Sequence, residues 1–492
     1  MRVSGKKQAR LRVWHRRLNS PVTIKLNPID RSPQTPVEKK SMMAGLRPWL
    51  KASFIGDSLV RRTPGIYGKF RALLSETESA SADARLLLQQ RLTERSLRQA
   101  RRTPYARKRG LAGPYEAWPI LEKSMLRDER SSLELKTWLP ANRAETGGTT
   151  GIPIALRRSW ASVVFEQTAL DHLVLRYGGL EWRAARVAVL RGDTIKDPSD
   201  MRPPFWRLQH VGQYLALSSN HLNAATVSAY IASLTDFRPN ILWVYPSALE
   251  ALCRLGGQKL CSIRGLKIIV SSSEVLTPET HAEASHAFQV PVLDYYGQAE
   301  RVCLSYSVNG KDHFFMHAYG RVDLRYSRDD EAHSLYEVVG TSYWNAAQPL
   351  IRYATGDLAR LPKNPSVAEI DDIALGMRPF AGIEGRRTDY LISPDGSHLI
   401  GMNHIPRGIA GITQMQIRQR ALDHVEIQVV PRPGYGTAAQ DAILVNARQK
   451  IPASMRIDIV PVDRLQRTIR GKAPLVVREN ELAEDEQIYQ LH

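Results

Sequence analysis

The stretch LKIIVSSSEVLTPETHAEASHAFQVPVLDYYGQAERV, residues 266–302, contains the pattern that decides the fold. Short apolar runs at 266–270 and 290–293 have the length of buried strands, and the segment 278–288 between them is a helix candidate. Upstream, the same pattern recurs as apolar runs at 186–190 and 241–244 and a helix candidate at 159–175. Because strands that alternate with helices form parallel sheets, the sequence predicts an α/β fold with a parallel, doubly wound sheet.

Motifs rich in glycine and polar residues occur before, within and after this stretch. In chain order they are ETGGTTGIP (145–153), SSSEVLTPE (271–279), VLDYYGQAERV (292–302), GTSYWNAAQPLIRYATGDLARL (340–361), GRRTDYLISPDG (385–396) and RGK (470–472). Their order and spacing resemble the adenylate-forming (AMP-dependent synthetase/ligase) superfamily. Within it, the chain resembles the phenylacetate-CoA ligase family and is most similar to the capsular polysaccharide biosynthesis (CapK-like) branch. The resemblance implies an α/β enzyme that uses ATP to convert a carboxylic acid to an acyl-AMP.

Length and periodicity predict more than one domain. A chain of 492 residues exceeds the size at which single hydrophobic cores usually divide. Residues 1–40 contain several prolines and little apolar periodicity, which predicts a basic, irregular arm. We expect a large N-terminal adenylation domain at 41–384 that begins with helices, one of them at 79–99. A strand, helix and strand at 425–430, 441–449 and 455–460 predict a small C-terminal α/β domain at 385–492, which the resemblance implies is a mobile cap.

The net charge of +19 is concentrated in the first quarter of the chain. Residues 1–130 contain 29 Lys and Arg against 11 Asp and Glu, a balance of +18. The basic residues form clusters at 6–17 and 101–109 that could hold an anionic partner, such as a membrane surface, an RNA or a phosphate-bearing molecule. We favour a solvated arm and exposed helix faces, because no aromatic-interleaved nucleic-acid signature accompanies the charge.

Cysteine content and hydropathy indicate a reducing cytoplasm. Cys253, Cys261 and Cys303 are too few for a disulfide framework or a structural zinc site. We interpret Cys303 as an ordinary buried thiol, although it follows the YGQAE motif. The basic N-terminus lacks the apolar core of a signal peptide, and no apolar run approaches the roughly 20 residues that span a bilayer.

The loop after Glu145 has the composition of a phosphate-binding loop. Its glycines allow the backbone to approach an anion, and its threonine hydroxyls add donors. The resemblance implies that it binds the β- and γ-phosphates of ATP through Thr146, Gly148, Thr149, Thr150 and Gly151. Ile152 stands where related enzymes often have lysine, so the loop carries less positive charge.

The YYGQAE motif follows a short apolar strand. By resemblance, Tyr296 packs on adenine, Gly297 admits the nucleotide and Glu300 binds the Mg²⁺ that bridges the phosphates. Mg²⁺ takes hard oxygen ligands and usually one or two protein carboxylates, which agrees with this assignment. Ala299 replaces a threonine found in many relatives.

Ser273 and Glu274 lie in the stretch that lines the adenine and acyl pocket in the family, and a plain turn after the strand is the alternative. Asp357, in the TGD tripeptide, is expected to accept hydrogen bonds from the ribose hydroxyls. Arg352 and Arg386 are the expected cationic neighbours of the nucleotide and the hinge. The hinge itself falls at 386–389, where Thr388 occupies the usual Asp or Lys position.

Lys472 and Glu300 are the predicted catalytic residues. The lysine of the family at this position reaches the substrate carboxylate and the α-phosphate, where negative charge builds up in the transition state. The second acceptor is coenzyme A in the family, but an amine, a hydroxyl or a carrier-protein thiol would serve chemically.

Two other functions stay open from the sequence. Ile152, Ala299 and Thr388 allow a catalytically weak relative that binds or assembles components of polysaccharide biosynthesis. The basic residues of 1–130 allow a nucleic-acid or membrane-surface binder.

Overall fold

The computed structural model describes residues 60–139, 141–145, 154–193, 195–210, 212–384, 390–399, 401–406, 408–466 and 475–479. The α-helices within these ranges are α1 (Ile66–Glu78), α2 (Ala82–Ala100), α3 (Pro104–Lys108), α4 (Lys123–Asp128), α5 (Trp160–Gly178), α6 (Val227–Phe237), α7 (Pro246–Gly256), α8 (Pro278–Phe288), α9 (Val367–Ala374) and α10 (Thr437–Arg448). No helix in this part of the chain is long and apolar enough to cross a bilayer.

The described residues contain twenty β-strands, which form five sheets. The first ten are β1 (Asn142–Glu145), β2 (Ala155–Arg158), β3 (Val187–Arg191), β4 (Trp206–Gln209), β5 (Tyr214–Ser218), β6 (Ile241–Val244), β7 (Ile268–Ser272), β8 (Val292–Gly297), β9 (Leu304–Ser307) and β10 (Phe314–Phe315). The next ten are β11 (Gly320–Asp329), β12 (His333–Ser342), β13 (Tyr353–Pro362), β14 (Ile383–Glu384), β15 (Leu391–Ile392), β16 (His398–Leu399), β17 (Ile412–Ala421), β18 (His424–Pro431), β19 (Arg456–Pro461) and β20 (Val476–Arg478).

The central sheet has the strand order β10-β9-β8-β7-β6-β3-β5-β4. Strands β5, β3, β6, β7 and β8 are parallel, which confirms the predicted parallel sheet. Strand β4 at one edge, and β9 and β10 at the other side of the sheet, run antiparallel to their neighbours, and the apolar pattern did not predict them. Strand β4 has three exposed residues out of four, so it lacks the apolar run that marks the buried strands.

Helices cover both faces of this sheet. Ile269 belongs to a buried core that includes Tyr230 of α6, Leu249 of α7 and Ala284 of α8. Its neighbour Ile268 points to the opposite face, since successive side chains of a strand alternate. There it meets α5, where a Cβ added to Gly178 would lie 3.0 Å from Ile268 Cγ2. The sheet is therefore doubly wound, and the α/β fold class is confirmed.

The N-terminal helices pack against the central part through aromatic and ionic contacts. The predicted helix at 79–99 is observed as α2, whose N-cap Ser81 accepts a hydrogen bond from Ala84 N. Phe70 of α1 lies edge-on to Phe165 of α5 at 4.9 Å between ring centroids. Arg62 forms a two-point ion pair with Asp171 at 2.6 and 2.7 Å. These contacts hold the helical start of the chain against α5.

A second, antiparallel sheet has the order β11-β12-β13-β14. It packs on its own buried cluster, which combines residues of the strands with Tyr105, Leu121 and Leu126 from the helical start. Leu121 also forms an isolated bridge with Tyr353, at the beginning of β13. This sheet positions the TGD tripeptide of the sequence, because Asp357 lies on β13.

The last part of the chain forms a mixed sheet with the order β19-β18-β17-β20 and the helix α10. The predicted strand, helix and strand at 425–460 are observed as β18, α10 and β19. The buried cluster of this part is drawn from residues between Leu391 and Leu475, including Ile417, Ile427 and Ile443. A boundary at 384/385 stays a prediction, because residues 385–389 lie outside the described residues, as does the predicted arm at 1–40.

Candidate active site

The carboxyl ends of the parallel strands define one edge of the central sheet. Strand β3 ends at Arg191, β7 at Ser272 and β8 at Gly297. In open α/β sheets, ligands bind in the crevice outside this edge. The motifs at 271–274 and 295–300 follow two of these strand ends, so the structure brings them to the same edge.

Two motif residues from different sheets meet at this edge. Tyr296 of β8 donates a hydrogen bond to Asp357 Oδ2 of β13 at 2.8 Å. Burial and the neighbouring carboxylate of Asp357 raise the pKa of Tyr296 well above its usual value, so the phenol stays protonated and acts as the donor. The YYGQAE and TGD motifs, 61 residues apart in sequence, are therefore in direct contact.

A bulge in β13 sets the orientation of Asp357. The register between β12 and β13 shifts between the pairs Glu337–Leu358 and Val339–Ala354. Gly356 has a φ of 76°, a left-handed conformation that favours glycine. Thr355 Oγ1 donates to Val338 O at 2.8 Å and accepts from Asp357 N at 3.1 Å. The TGD tripeptide is thus the sequence of a bulge that redirects a side chain, as bulges often do beside functional sites.

Glu300 is buried, with 6% of its surface exposed. Its Oε1 accepts a hydrogen bond of 2.7 Å from the hydroxyl of Tyr353, which is fully buried. Burial is the largest cause, and the carboxylate of Glu300 the next, of a pKa of Tyr353 above its usual range. The phenol therefore remains the donor. Tyr353 and Asp357 both lie on β13, so one strand supplies a partner to Glu300 and a partner to Tyr296.

The residues present fit a magnesium site in which the protein supplies few ligands and leaves the other coordination positions to water and phosphate oxygens. Glu300 supplies one hard carboxylate, and its bond to Tyr353 uses Oε1 alone. Mg²⁺ commonly takes one or two protein carboxylates and completes its shell with water and phosphate oxygens. No cluster of three or more His, Cys, Asp or Glu side chains of metal-binding geometry occurs among the described residues. A closed, all-protein metal cage is therefore absent from that part of the chain.

Ser273, Glu274 and Gly297 surround the strand ends. Ser273 is exposed and has a φ of 75°. Glu274 Oε2 accepts a hydrogen bond of 3.0 Å from Ser247 N in the first turn of α7. The positive end of the helix dipole at this turn stabilises a carboxylate. Gly297 is exposed, and an added Cβ would have Tyr295 Cε2 as its nearest atom at 4.0 Å. Glu274 thus fixes the loop to α7, and nucleotide contacts of all three residues stay predictions.

Arg158 is a cation of the site that the sequence motifs did not reveal. It lies at the end of β2, and its Nε and Nη2 donate to Ala299 O at 2.9 and 2.6 Å. Burial, with a further contribution from Arg301, lowers its pKa to about 10, so it stays charged at neutral pH. Ala299 therefore presents its carbonyl to an arginine. The only sequence signal for Arg158 is its place after the glycine- and threonine-rich loop.

Arg352 has a structural role. Its Nη1 donates to Glu116 O at 3.1 Å and to Trp118 O at 2.8 Å. These bonds hold the segment 116–118 next to the start of β13, and a nucleotide contact of Arg352 stays a prediction. Seven predicted site residues lie outside the described residues and remain predictions: Thr146, Gly148, Thr149, Thr150, Gly151, Arg386 and Lys472.

The small C-terminal sheet and its helix reach the same edge of the central sheet. Lys450, which follows α10 and is 2% exposed, donates to Gly192 O directly after β3. A Cβ added to Gly192 would lie 3.1 Å from Gly401 Cα, so two glycines allow the backbones to approach closely. Ala453 N donates to Ser199 Oγ at 2.7 Å nearby.

Cys303 is buried, and two arginines of the basic cluster at 101–109 have partners within the protein. Cys303 is 1% exposed, which confirms the predicted buried thiol, and burial raises the pKa of this thiol to about 12. Arg101 pairs with Glu94 at 3.0 Å, and Arg109 pairs with Glu129 and stacks on Tyr105 at 4.2 Å. Two of the clustered arginines thus have partners within the protein.

Comparison with known proteins identifies the C-terminal part. Residues 391–479 match the CapK C-terminal domain. The chain is also similar to Protein CapK of Staphylococcus aureus, with 22% identity over 265 residues, which are 52% of this chain and 56% of that protein. The match thus spans about half the length of this curated relative. These matches confirm the predicted similarity to the CapK-like branch. Residues 391–479 thus carry a CapK C-terminal domain.

Three solved structures show a distant similarity to the chain. One is 2-hydroxyisobutyryl-CoA ligase with 2-HIB-AMP and CoA, at 14% identity, 88% of this chain, 94% of that chain and a TM-score of 0.42. Another is apo MbtA of Mycobacterium smegmatis, at 12% identity, 68% of this chain, 63% of that chain and a TM-score of 0.32. A third is ATP-bound MatB from Rhodopseudomonas palustris, at 16% identity, 70% of this chain, 68% of that chain and a TM-score of 0.28.

Proposed function

We propose that this protein catalyses ATP-dependent, AMP-forming activation of a carboxylic acid to an acyl-adenylate, followed by transfer of the acyl group to coenzyme A or another acceptor. The observation that carries the proposal is the bond between Tyr296 and Asp357, at the carboxyl edge of a parallel sheet and next to the buried pair of Glu300 and Tyr353. Each motif separately is a short polar loop. Their contact across two sheets gives one site with an aromatic ring and two carboxylates.

The nucleotide end of the site is formed by Tyr296 and Asp357. A carboxylate has about four acceptor positions, so Asp357 can accept from both ribose hydroxyls and still accept from Tyr296. The Tyr296 hydroxyl fixes the orientation of Asp357 before the nucleotide binds. Such preorganisation lowers the entropy that binding would otherwise cost.

Glu300 would hold Mg²⁺, which neutralises phosphate charge when it is bound. Tyr353 orients Glu300 through Oε1 and leaves Oε2 for the cation. Arg158, next to Ala299 and Glu300, adds a fixed positive charge at this end of the site. That charge offsets part of the positive charge that is missing at Ile152, where related enzymes often carry lysine.

The chemical step is an in-line displacement at phosphorus. A carboxylate oxygen of the acid attacks the α-phosphorus of ATP, the bond from this phosphorus to the oxygen bridging the α- and β-phosphates breaks, and pyrophosphate leaves. Lys472 is the proposed cation that stabilises the negative charge of this transition state, and the loop 146–151 is the proposed cradle of the departing phosphates.

The acceptor and the compartment are part of the proposal. Lys450 and Gly401 place the CapK C-terminal domain at the edge of the sheet that carries the site, where it would control access of the second nucleophile. We propose the reducing cytoplasm as the compartment, because Cys261 is an exposed thiol.

A second candidate is a binding or assembly protein without turnover. Ala299 favours it, because a residue without a hydroxyl stands where many relatives carry threonine, and Arg158 binds its carbonyl oxygen.

Acid-dependent exchange of labelled pyrophosphate into ATP separates the two candidates. The wild-type protein should exchange pyrophosphate with at least one acid of a broad panel, and Lys472→Ala should lower the rate by about 100-fold or more. Absence of exchange with every acid, together with unchanged ATP binding in Lys472→Ala, would reject the ligase and leave the binding protein.

A further inference from the structure

Two buried nitrogen donors lie side by side at the carboxyl edge of the central sheet. Arg191 ends β3, and Trp243 lies on the adjacent parallel strand β6, paired with Val189. Val189 and Arg191 are two residues apart, so Arg191 and Trp243 point to the same face. Arg191 Nε and Trp243 Nε1 are buried, and neither has an acceptor in the described part of the chain.

The guanidinium of Arg191 stacks on two aromatic rings. Its guanidinium lies 4.4 Å from the centroid of the Trp243 ring and 4.9 Å from that of Tyr245. Nη2 donates to the Tyr245 hydroxyl at 3.3 Å. No ion pair joins Arg191 to a carboxylate among the described residues. Buried polar groups are almost always hydrogen-bonded, so two neighbouring unmatched donors indicate a place where a ligand supplies acceptors.

This donor pair adjoins the candidate active site. Arg191 interacts electrostatically with Tyr295, which precedes Tyr296 on β8. Burial raises the pKa of Tyr295 to about 12, so its hydroxyl is neutral, and the carboxylate of Asp193 acts on Arg191 electrostatically without an ion pair among the described residues. On the other side, Gly192 packs against Gly401 of the C-terminal part. Exclusion of water by this contact strengthens any interaction of Arg191 with an anion.

We propose that Arg191 and Trp243 Nε1 bind a second carboxylate of the acid substrate, distinct from the carboxylate that is activated. The inference rests on the proposed function and specifies its substrate class as dicarboxylic acids. A guanidinium presents a planar set of donors that matches a carboxylate, and the indole N–H adds a third donor. Stacking on two rings fixes the guanidinium plane before the ligand arrives.

Matched pairs of acids test the proposal. Each pair has the same skeleton with and without a terminal carboxylate, such as butanoic and butanedioic acid, or phenylacetic and carboxyphenylacetic acid. In pyrophosphate exchange, the wild-type protein should prefer the diacid of at least one pair. Arg191→Gln should raise the KM for that diacid by about 100-fold and Trp243→Phe by about 10-fold, while the KM for the monoacid changes by less than about 3-fold.

Arg186→Gln is the matched control. Arg186 directly precedes β3, is exposed and lies 5.9 Å over the Phe237 ring, so the same chemical change is made at the opposite end of one strand. It should leave both KM values unchanged. A wild-type preference for monoacids, or an equal rise in KM for both members of a pair in Arg191→Gln, would overturn the proposal.

Calorimetric titration of the full chain with the same acids separates this inference from the proposed function. If no acid supports exchange but a diacid binds the wild-type protein and not Arg191→Gln, the subsite stands and the ligase function fails. Equal affinity of the two proteins for the diacid, or no binding of any diacid, overturns the subsite. Trp243→Phe keeps the ring under Arg191, so it gives the same test if Arg191→Gln does not fold.

Discussion

The hydroxyl of Tyr296, near the end of a parallel strand, donates a 2.8 Å hydrogen bond to Oδ2 of Asp357 on the bulged strand of a different sheet. Four residues before Asp357 on that strand, Tyr353 donates to Glu300, four residues after Tyr296. The two bonds therefore link the same two segments twice. This double link fixes the distance between the ring and the carboxylates of the site.

Replacement of Asp357 tests the nucleotide end of the site. Asp357→Asn should raise the KM for ATP in pyrophosphate exchange by about 10- to 100-fold, because hydrogen bonds to a charged acceptor are worth about 1.5–3 kcal/mol. Tyr296→Phe is the control, since it removes the hydroxyl and keeps the ring and the carboxylate. We expect it to raise the KM by less than Asp357→Asn. If the two variants behaved alike, the hydroxyl rather than the carboxylate would be the group that matters.

Substitutions of Glu300 and Tyr353 should have different effects on catalysis and on stability. Glu300→Gln keeps an acceptor for Tyr353 but removes the charge, so it should increase the magnesium concentration needed for half-maximal activity and leave thermal stability nearly unchanged. Tyr353→Phe leaves the buried carboxylate without its donor and should lower the free energy of unfolding by about 1–3 kcal/mol. Magnesium titration of activity and denaturant unfolding measure the two effects. An unchanged magnesium requirement in Glu300→Gln would remove Glu300 as the metal ligand.

Asp294 should make stability depend on pH. It is buried on β8, its Oδ1 has no partner in the described part of the chain, and burial raises its pKa from 3.8 to about 7. The folded state then binds a proton more tightly than the unfolded state between pH 4 and 7, so the contribution of Asp294 to stability falls as pH rises through this window and is smallest above pH 7. Asp294→Asn, which stays neutral, should gain stability relative to the wild type between pH 5 and pH 8, on the order of 1–3 kcal/mol.

Denaturant unfolding at pH 5 and pH 8 measures this difference. Asp312→Asn, which replaces an exposed carboxylate, is the control and should show no such dependence. Equal stability of the wild type and Asp294→Asn at both pH values would contradict the assignment of a buried, protonated carboxyl group.

The contact between Gly192 and Gly401 should determine how the CapK C-terminal domain sits on the sheet edge. A Cβ at Gly192 would meet Gly401 Cα at 3.1 Å and N at 3.4 Å, and backbone atoms cannot move aside easily. Gly192→Ala should therefore increase hydrogen exchange around 401–406 and 450–453. Gly68→Ala is the matched control, because a Cβ there meets no atom within 4 Å. Identical exchange in both variants would show that the contact does not hold the domain.

The predictability of the fold depended on how strongly each element is buried. Strand β6 coincides with the apolar run predicted at 241–244, and α8 with the predicted 278–288, because both have a clear apolar pattern and defined ends. Strand β4 was missed because most of its residues are exposed, so its pairing with β5 leaves no apolar signature. The antiparallel sheet from β11 to β14 was not predicted either, because it is not part of the alternation of strands and helices on which the prediction depended.

The sequence determined which chemical groups are available, since Glu300, Tyr296 and Asp357 stand in motifs whose order indicates an ATP-dependent ligase. Only the tertiary structure decided their partners, because the bond of Tyr296 to Asp357 depends on the bulge at Gly356 and on the packing of two sheets. The same holds for Arg158 and Arg191, single arginines at strand ends that belong to no motif. Their significance comes from burial and, for Arg191, from an unmatched donor, and these properties exist only once distant segments are packed together.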